Sequence, residues 1–206
     1  MTNTNFDKKM LEAFSEAGNV GAGHSAIALT KIFSREVDMT VPFIRQGTPN
    51  EILGTFDLAE DDMVGYQITD INNPLRYKLS VLFKKSVMKS ILDLMALSIN
   101  TEIIGLESFT DMQKSLIQEV GSTILLRYIA ALNKMLKVES MPETAPVLFM
   151  DKALPVLRQI GYDQSDDASL IFIQLDLFTD EYKFECHLFI QPHEADVEDY
   201  RKAFFG

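Results

Sequence analysis

The sequence predicts an α/β fold of the α+β kind, with antiparallel strands packed against helices and laid down as two similar half-domains within one unit. Three observations predict it. A helical spacing of apolar residues opens the chain and recurs near its middle, β-branched and aromatic segments broken by turn residues follow each time, and a shift of 103 positions lays one half on the other.

The elements follow in order. From Phe6 to Phe33, apolar residues recur at Met10, Leu11, Phe14, Ala17, Val20 and Ala28, which is helical rather than alternating spacing. The segments Val37 to Arg45, Ile52 to Leu58, Val64 to Ile68 and Tyr77 to Phe83 read as strands, punctuated by Gly47, Thr48 and Pro49 and by Asn72, Asn73 and Pro74. Lys84 to Leu97 places Val87, Met88, Ile91, Leu92 and Met95 on one helical face. The order then begins again, with a helix over Asp111 to Leu136, strands over Ala145 to Met150, Leu170 to Leu177 and Tyr182 to Gln191, and a helical end over His193 to Phe205. Under the shift, Phe6 falls on Phe109, Glu16 on Glu119, Gly18 on Gly121, Ala28 on Ala131 and Lys31 on Lys134, which divides the chain into halves of about 6–100 and 109–206. Asp151 to Gly161 adds a short amphipathic helix with no clear counterpart in the first half. Asp151, Leu154 and Leu157 mark it as a candidate partner-docking face, and Pro155 is acceptable there only within the first turn.

Composition removes several classes of function. With 19 basic and 30 acidic residues the net charge is -11, and the basic residues form no cluster able to grip phosphates, so neither nucleic acid nor an anionic membrane is an expected partner. No apolar stretch approaches the ~20 residues of a membrane helix, and the polar start, Met1 to Lys9, lacks the pattern of a signal peptide, so a cytoplasmic protein is expected. The single Cys186 sits in an apolar run and reads as a buried thiol. His24, His187 and His193 have no ligand spacing, and Cys186 and His187 point to opposite faces of a strand, so no metal site is expected.

The chemically informative segment is EAGNVGAGHS, Glu16 to Ser25. Three glycines lie inside a helical pattern, each costing about 1 kcal/mol relative to alanine. Small side chains there let another backbone approach closely. The glycines run G-x-x-G-x-G with no strand before them and no Lys-Ser or Lys-Thr after, which excludes a phosphate loop. Ser25 has Gly23 two residues before it but Ile27 two after, so it does not make a nucleophile elbow. Glu16 and Asn19 are three apart, so on a helix a carboxylate and a carboxamide stand side by side.

These residues resemble the CheC family of chemotaxis phosphatases, whose motif is Asp or Ser, three residues, Glu, two residues, Asn, 22 residues and Pro. Glu16, Asn19 and Pro42 keep that spacing, Glu12 stands in the leading position, and EAGNVGAGHSAIALTKI is similar to the family's glycine- and alanine-rich helix. In the second half Ser115 and Glu119 match, whereas Ser122 replaces the asparagine and Pro146 comes one residue late, which makes a degenerate second site.

The resemblance implies a pseudo-twofold, duplicated domain with an antiparallel sheet and two symmetry-related long helices on one face. It also implies hydrolysis of the aspartyl phosphate of a CheY-type response regulator, with Asn19 orienting the water and Glu16 docking the partner. No cofactor is expected on this chain, since the magnesium ion belongs to the phosphorylated partner. CheD is a further implied partner, with the helix after Asp151 as its candidate contact. The competing reading is a catalytically weak or silent module that binds CheD or the phosphorylated regulator, or a component related to the flagellar switch proteins FliY and FliM.

Overall fold

The structure is a computed structural model that describes residues 6–40 and 43–206. Helix α1, Lys8–Phe33, starts where Asp7 accepts a hydrogen bond from the Met10 amide, and ends at Ser34 in a left-handed turn. Helix α4, Asp111–Leu136, has the same 26-residue length, starts at a capping box of Thr110 and Gln113, and ends at Lys137 in the same left-handed conformation. Between and after them lie β1 (Asp38–Met39), β2 (Phe43–Gly47), α2 (Pro49–Thr55), β3 (Met63–Ile71), β4 (Tyr77–Lys84), α3 (Lys85–Leu94), β5 (Phe149–Lys152), α5 (Ala153–Ile160), β6 (Leu170–Phe178), β7 (Lys183–Pro192) and α6 (Val197–Phe205).

Three expectations are corrected. Ile52 to Leu58 is not a strand: Thr48 caps the amide of Glu51, the Glu51 carboxylate returns to the Thr48 amide, and Pro49 fills the first turn, so α2 forms instead. Consequently α5 is no insertion. It holds the place between β5 and β6 that α2 holds between β2 and β3. The strand expected over Ala145 to Met150 begins only at Phe149 and runs to Lys152.

The seven strands form one sheet of order β1-β6-β7-β4-β3-β5, with β2 also paired to β6, and every pairing is antiparallel. Exchanging β4 with β7, β3 with β6 and β2 with β5 turns the path β2-β6-β7-β4-β3-β5 end for end onto itself, and β1 alone has no counterpart. The edge strand β2 pairs with β6 and the edge strand β5 with β3, so each half completes the other's part of the sheet.

Alternation along the strands divides the interior in two. On one face Phe14, Ala17 and Leu29 of α1 and Ile117 and Tyr128 of α4 pack on Val81, Ile173 and Leu188. On the other, Ile52 and Phe56 of α2 and Leu154 and Leu157 of α5 pack on Tyr66, Phe172 and Phe189. Cys186 and His187 indeed face opposite ways: the thiol enters the core beneath the long helices, while the imidazole stacks on Phe56 with ring centres 3.5 Å apart.

Candidate functional site

The long helices lie unusually close to the sheet and to each other, and glycine makes this possible. A β-carbon on Gly18 would come within 3.1 Å of Ile173 on β6, and one on Gly121 within 2.7 Å of Gln67 on β3. One on Gly21 would sit 2.9 Å from the Tyr128 ring, where the two helices meet. The shared glycines of the two halves thus press α1 onto the second half's strand and α4 onto the first half's.

On the outer side of α1 the helix carries Glu12, Glu16 and Asn19. Glu12 is exposed and pairs with Lys8 at 3.7 Å. Glu16 is exposed, and Asn19, one turn further on, is half-buried. The Asn19 Oδ1 is buried and has no hydrogen-bond partner among the described residues. Leaving such an acceptor unpaired costs about 1–3 kcal/mol. Pro42, the motif's last member, lies outside the described residues.

At the equivalent place on α4, Ser115 and Glu119 are exposed, and Ser122 is half-buried. The Ser122 hydroxyl has its acceptors inside the chain, Gln67 Oε1 at 3.4 Å and the Pro146 carbonyl at 3.5 Å. Gln67 is itself buried and donates to the Gln118 carbonyl at 2.9 Å, while Gln118 Oε1 accepts from the Leu148 amide at 3.1 Å. Nothing in the motif letters pointed to Gln67 or Gln118; a glutamine between Tyr66 and Ile68 in the first part of β3 was the available signal. Glu119 lines an open groove of about 470 Å³ between α1 and α4, together with His24, Ile27, Lys31, Thr123 and Arg127.

The remaining candidates separate clearly. Leu154 and Leu157 were read as a docking face, but they are 7% and 0% exposed. Burying them against α2 and β3 serves the fold, and α5 turns only Pro155 and Gln159, beside the half-buried Arg158, outward. Asp151 is exposed on the edge strand β5. Ser25 is buried with its hydroxyl bound to the Gly21 carbonyl at 2.8 Å, and His24 is exposed. Among the described residues no group of three histidine, cysteine or acidic side chains is disposed to hold a metal ion, and no helix is long and apolar enough to cross a membrane.

The fold is shared with FliY and FliM. The chain superposes on FliY of Thermotoga maritima with a TM-score of 0.71 at 14% identity, covering 97% of each chain. It superposes on a FliM–SpeE complex structure from H. pylori with a TM-score of 0.72 at 12% identity, covering 98% of this chain and 99% of that one. Identity so low shows the fold alone. By sequence the chain is similar to the CheY-P phosphatase CheC of Bacillus subtilis, 23% identical over 213 residues, spanning 96% of this chain and 93% of CheC. No family model matches the chain. The resemblance to the CheC family seen around the first helix therefore extends along the whole sequence.

Proposed function

We propose that this chain dephosphorylates a phosphorylated CheY-type response regulator in chemotaxis, in the cytoplasm, through a single site on α1. The observation that carries the reading is the unpartnered, buried Oδ1 of Asn19 one helical turn from the exposed Glu16, in a chain similar throughout to a CheY-P phosphatase.

An aspartyl phosphate is an activated acyl phosphate. Its hydrolysis needs a water held in line with the scissile P–O bond and neutralisation of the phosphoryl charge. In this reading the Asn19 carboxamide turns outward about its terminal torsion as the partner docks, accepts a hydrogen bond from that water through Oδ1 and donates to a phosphoryl oxygen through Nδ2. Water adds to phosphorus, the acyl oxygen leaves, and the products are inorganic phosphate and a free aspartate carboxylate. Glu16 docks the partner by pairing with a lysine beside its phosphorylated aspartate. The magnesium ion comes with the regulator, and this chain brings no cofactor. Ser122, shorter and turned toward Gln67, leaves the second site without the equivalent group.

The test is the decay of a phosphorylated CheY-type regulator in magnesium, alone and with this chain as native, Asn19→Ala and Ser122→Ala. Acceleration lost with Asn19→Ala and kept with Ser122→Ala supports a single-site phosphatase. No acceleration by the native chain sinks the enzyme reading. A second reading, a silent module that binds the regulator or CheD or acts in a flagellar switch, is favoured by the likeness to FliY and FliM. Binding to CheD would have to use the polar outside of α5 and Asp151, since Leu154 and Leu157 are inside.

A further inference from the structure

The glycine-rich turn of α1 holds three glycines, and the fold uses only two of them. Gly18 and Gly21 are pressed against Ile173 and Tyr128, whereas a β-carbon on Gly23 would meet nothing within 4 Å among the described residues. A glycine in a helix interior costs about 1 kcal/mol relative to alanine, and no described neighbour explains this one. Gly23 lies four residues after Asn19 and seven after Glu16, so it shares their outward face. The other half supplies the comparison. Under the relation that lays Gly18 on Gly121, Asn19 falls on Ser122 and Gly23 on Leu126, which is 46% exposed. The helix that has the carboxamide has bare backbone beside it, and the helix that lacks one carries a leucine standing in solvent.

We propose that Gly23 is a specificity-determining position of the α1 site: its bare backbone is the clearance through which the partner's aspartyl-phosphate surface reaches Asn19. This rests on the phosphatase reading above. A side chain at position 23 would stand on the helix face between Asn19 and the incoming protein, holding the phosphoryl group out of reach while leaving the fold intact. By the same reasoning Leu126 closes the α4 face to such a partner.

The experiment compares the native chain with Gly23→Ala, Gly23→Leu and Asn19→Ala in two measurements, melting temperature and the kinetics of regulator dephosphorylation. Gly23→Ala should melt higher by about 2–4 °C, since it gains helix propensity without a clash. Gly23→Leu, the residue α4 tolerates at the matching position, should melt no lower than native yet raise KM roughly tenfold or more, with a smaller change in kcat. Asn19→Ala should instead lose kcat. An active native chain whose KM is unmoved by Gly23→Leu overturns the proposal, and so does a Gly23→Leu variant that melts well below native, because the glycine would then serve the fold. A native chain that does not accelerate decay removes the phosphatase reading itself, a result distinct from either.

Discussion

Replacing Gly21 by alanine tests whether the glycines of α1 are there for helix packing. The new β-carbon would lie 2.9 Å from Cγ and Cδ2 of Tyr128 and 3.1 Å from its Cα. Carbon contacts settle at about 3.5–4.0 Å, so relief needs a displacement of roughly 0.5–1 Å. Tyr128 is fully buried, so the ring has nowhere to swing, and the third contact is backbone, so α4 itself must move. Because backbone must move, the overpacking cost falls in the upper part of the usual range, about 2–3 kcal/mol, and the alanine returns about 1 kcal/mol of helix propensity. The expected net loss is about 1–2 kcal/mol, a fall of roughly 2–8 °C in melting temperature for a chain of this size. Calorimetry and urea titration would measure it, with Gly18→Ala as the companion variant. There the nearest atom is the terminal methyl of Ile173 at 3.1 Å, which can rotate away, so Gly18→Ala should stay close to native. A Gly21→Ala chain as stable as native would refute the close-packing argument.

Other outcomes follow from single groups. The Tyr128 hydroxyl is buried without a partner among the described residues, and burial pushes its pKa up, so Tyr128→Phe should be neutral or stabilising by about 1 kcal/mol, and a lower melting temperature would show that the hydroxyl is paired. Glu16→Gln should raise KM for the phosphorylated regulator by roughly two- to fivefold and weaken its salt dependence, with kcat unchanged; loss of kcat alone would remove Glu16 from docking. His187 is fully buried, and desolvation lowers its pKa against the opposing hydrogen bond to Glu185 at 3.1 Å. The folded state therefore binds fewer protons than the unfolded chain, and stability should decline as pH falls below about 6.5, a decline that His187→Leu should flatten. The hydrogen bond from His187, with Lys84 at 3.3 Å, holds Glu185 down to about 2, so its contribution is whole above the ordinary carboxylate range and is lost progressively as pH falls from there to about 2. Cys186, buried and with its pKa pushed up, should react with thiol reagents only on unfolding.

The two long helices were legible because periodicity over 26 residues is a strong signal, and the α4 boundaries Asp111 and Leu136 are those the spacing predicts. Helix α2 was missed although Thr48, Pro49 and Glu51 spell out a capped start, because Ile52, Leu53 and Phe56 resemble a strand when read without their cap. That single error hid the repeat: with α2 taken as a strand, α5 had no partner, and its buried leucines looked available for docking. The site was legible only as letters at a fixed spacing. That Asn19 has an unpaired oxygen while Ser122 turns inward depends on which residue of the facing strand each helix meets, and sequence spacing carries no such information.

The facing strands carry the asymmetry further than the motif does. Gly18 brings α1 down on Ile173, an apolar side chain, and the neighbouring Asn19 Oδ1 has no hydrogen-bond partner among the described residues. Gly121 brings α4 down on Gln67, and that glutamine ties itself to the Gln118 carbonyl while offering its oxygen to Ser122. A buried polar side chain has to be satisfied, and on α4 the helix supplies the groups that satisfy it. Changing Ser122 to asparagine alone would then set two carboxamides, at 67 and 122, against each other beneath Leu126. An asparagine there would be expected to pair inward with Gln67 and remain silent toward a partner, whereas Gln67→Ile together with Ser122→Asn and Leu126→Gly would reproduce the surroundings of Asn19. Measured in an Asn19→Ala background, dephosphorylation restored by the triple change but not by Ser122→Asn would show that the strand beneath the helix, as much as the helix, decides which half can act. Equal activity from the single change would show that the motif residue alone suffices.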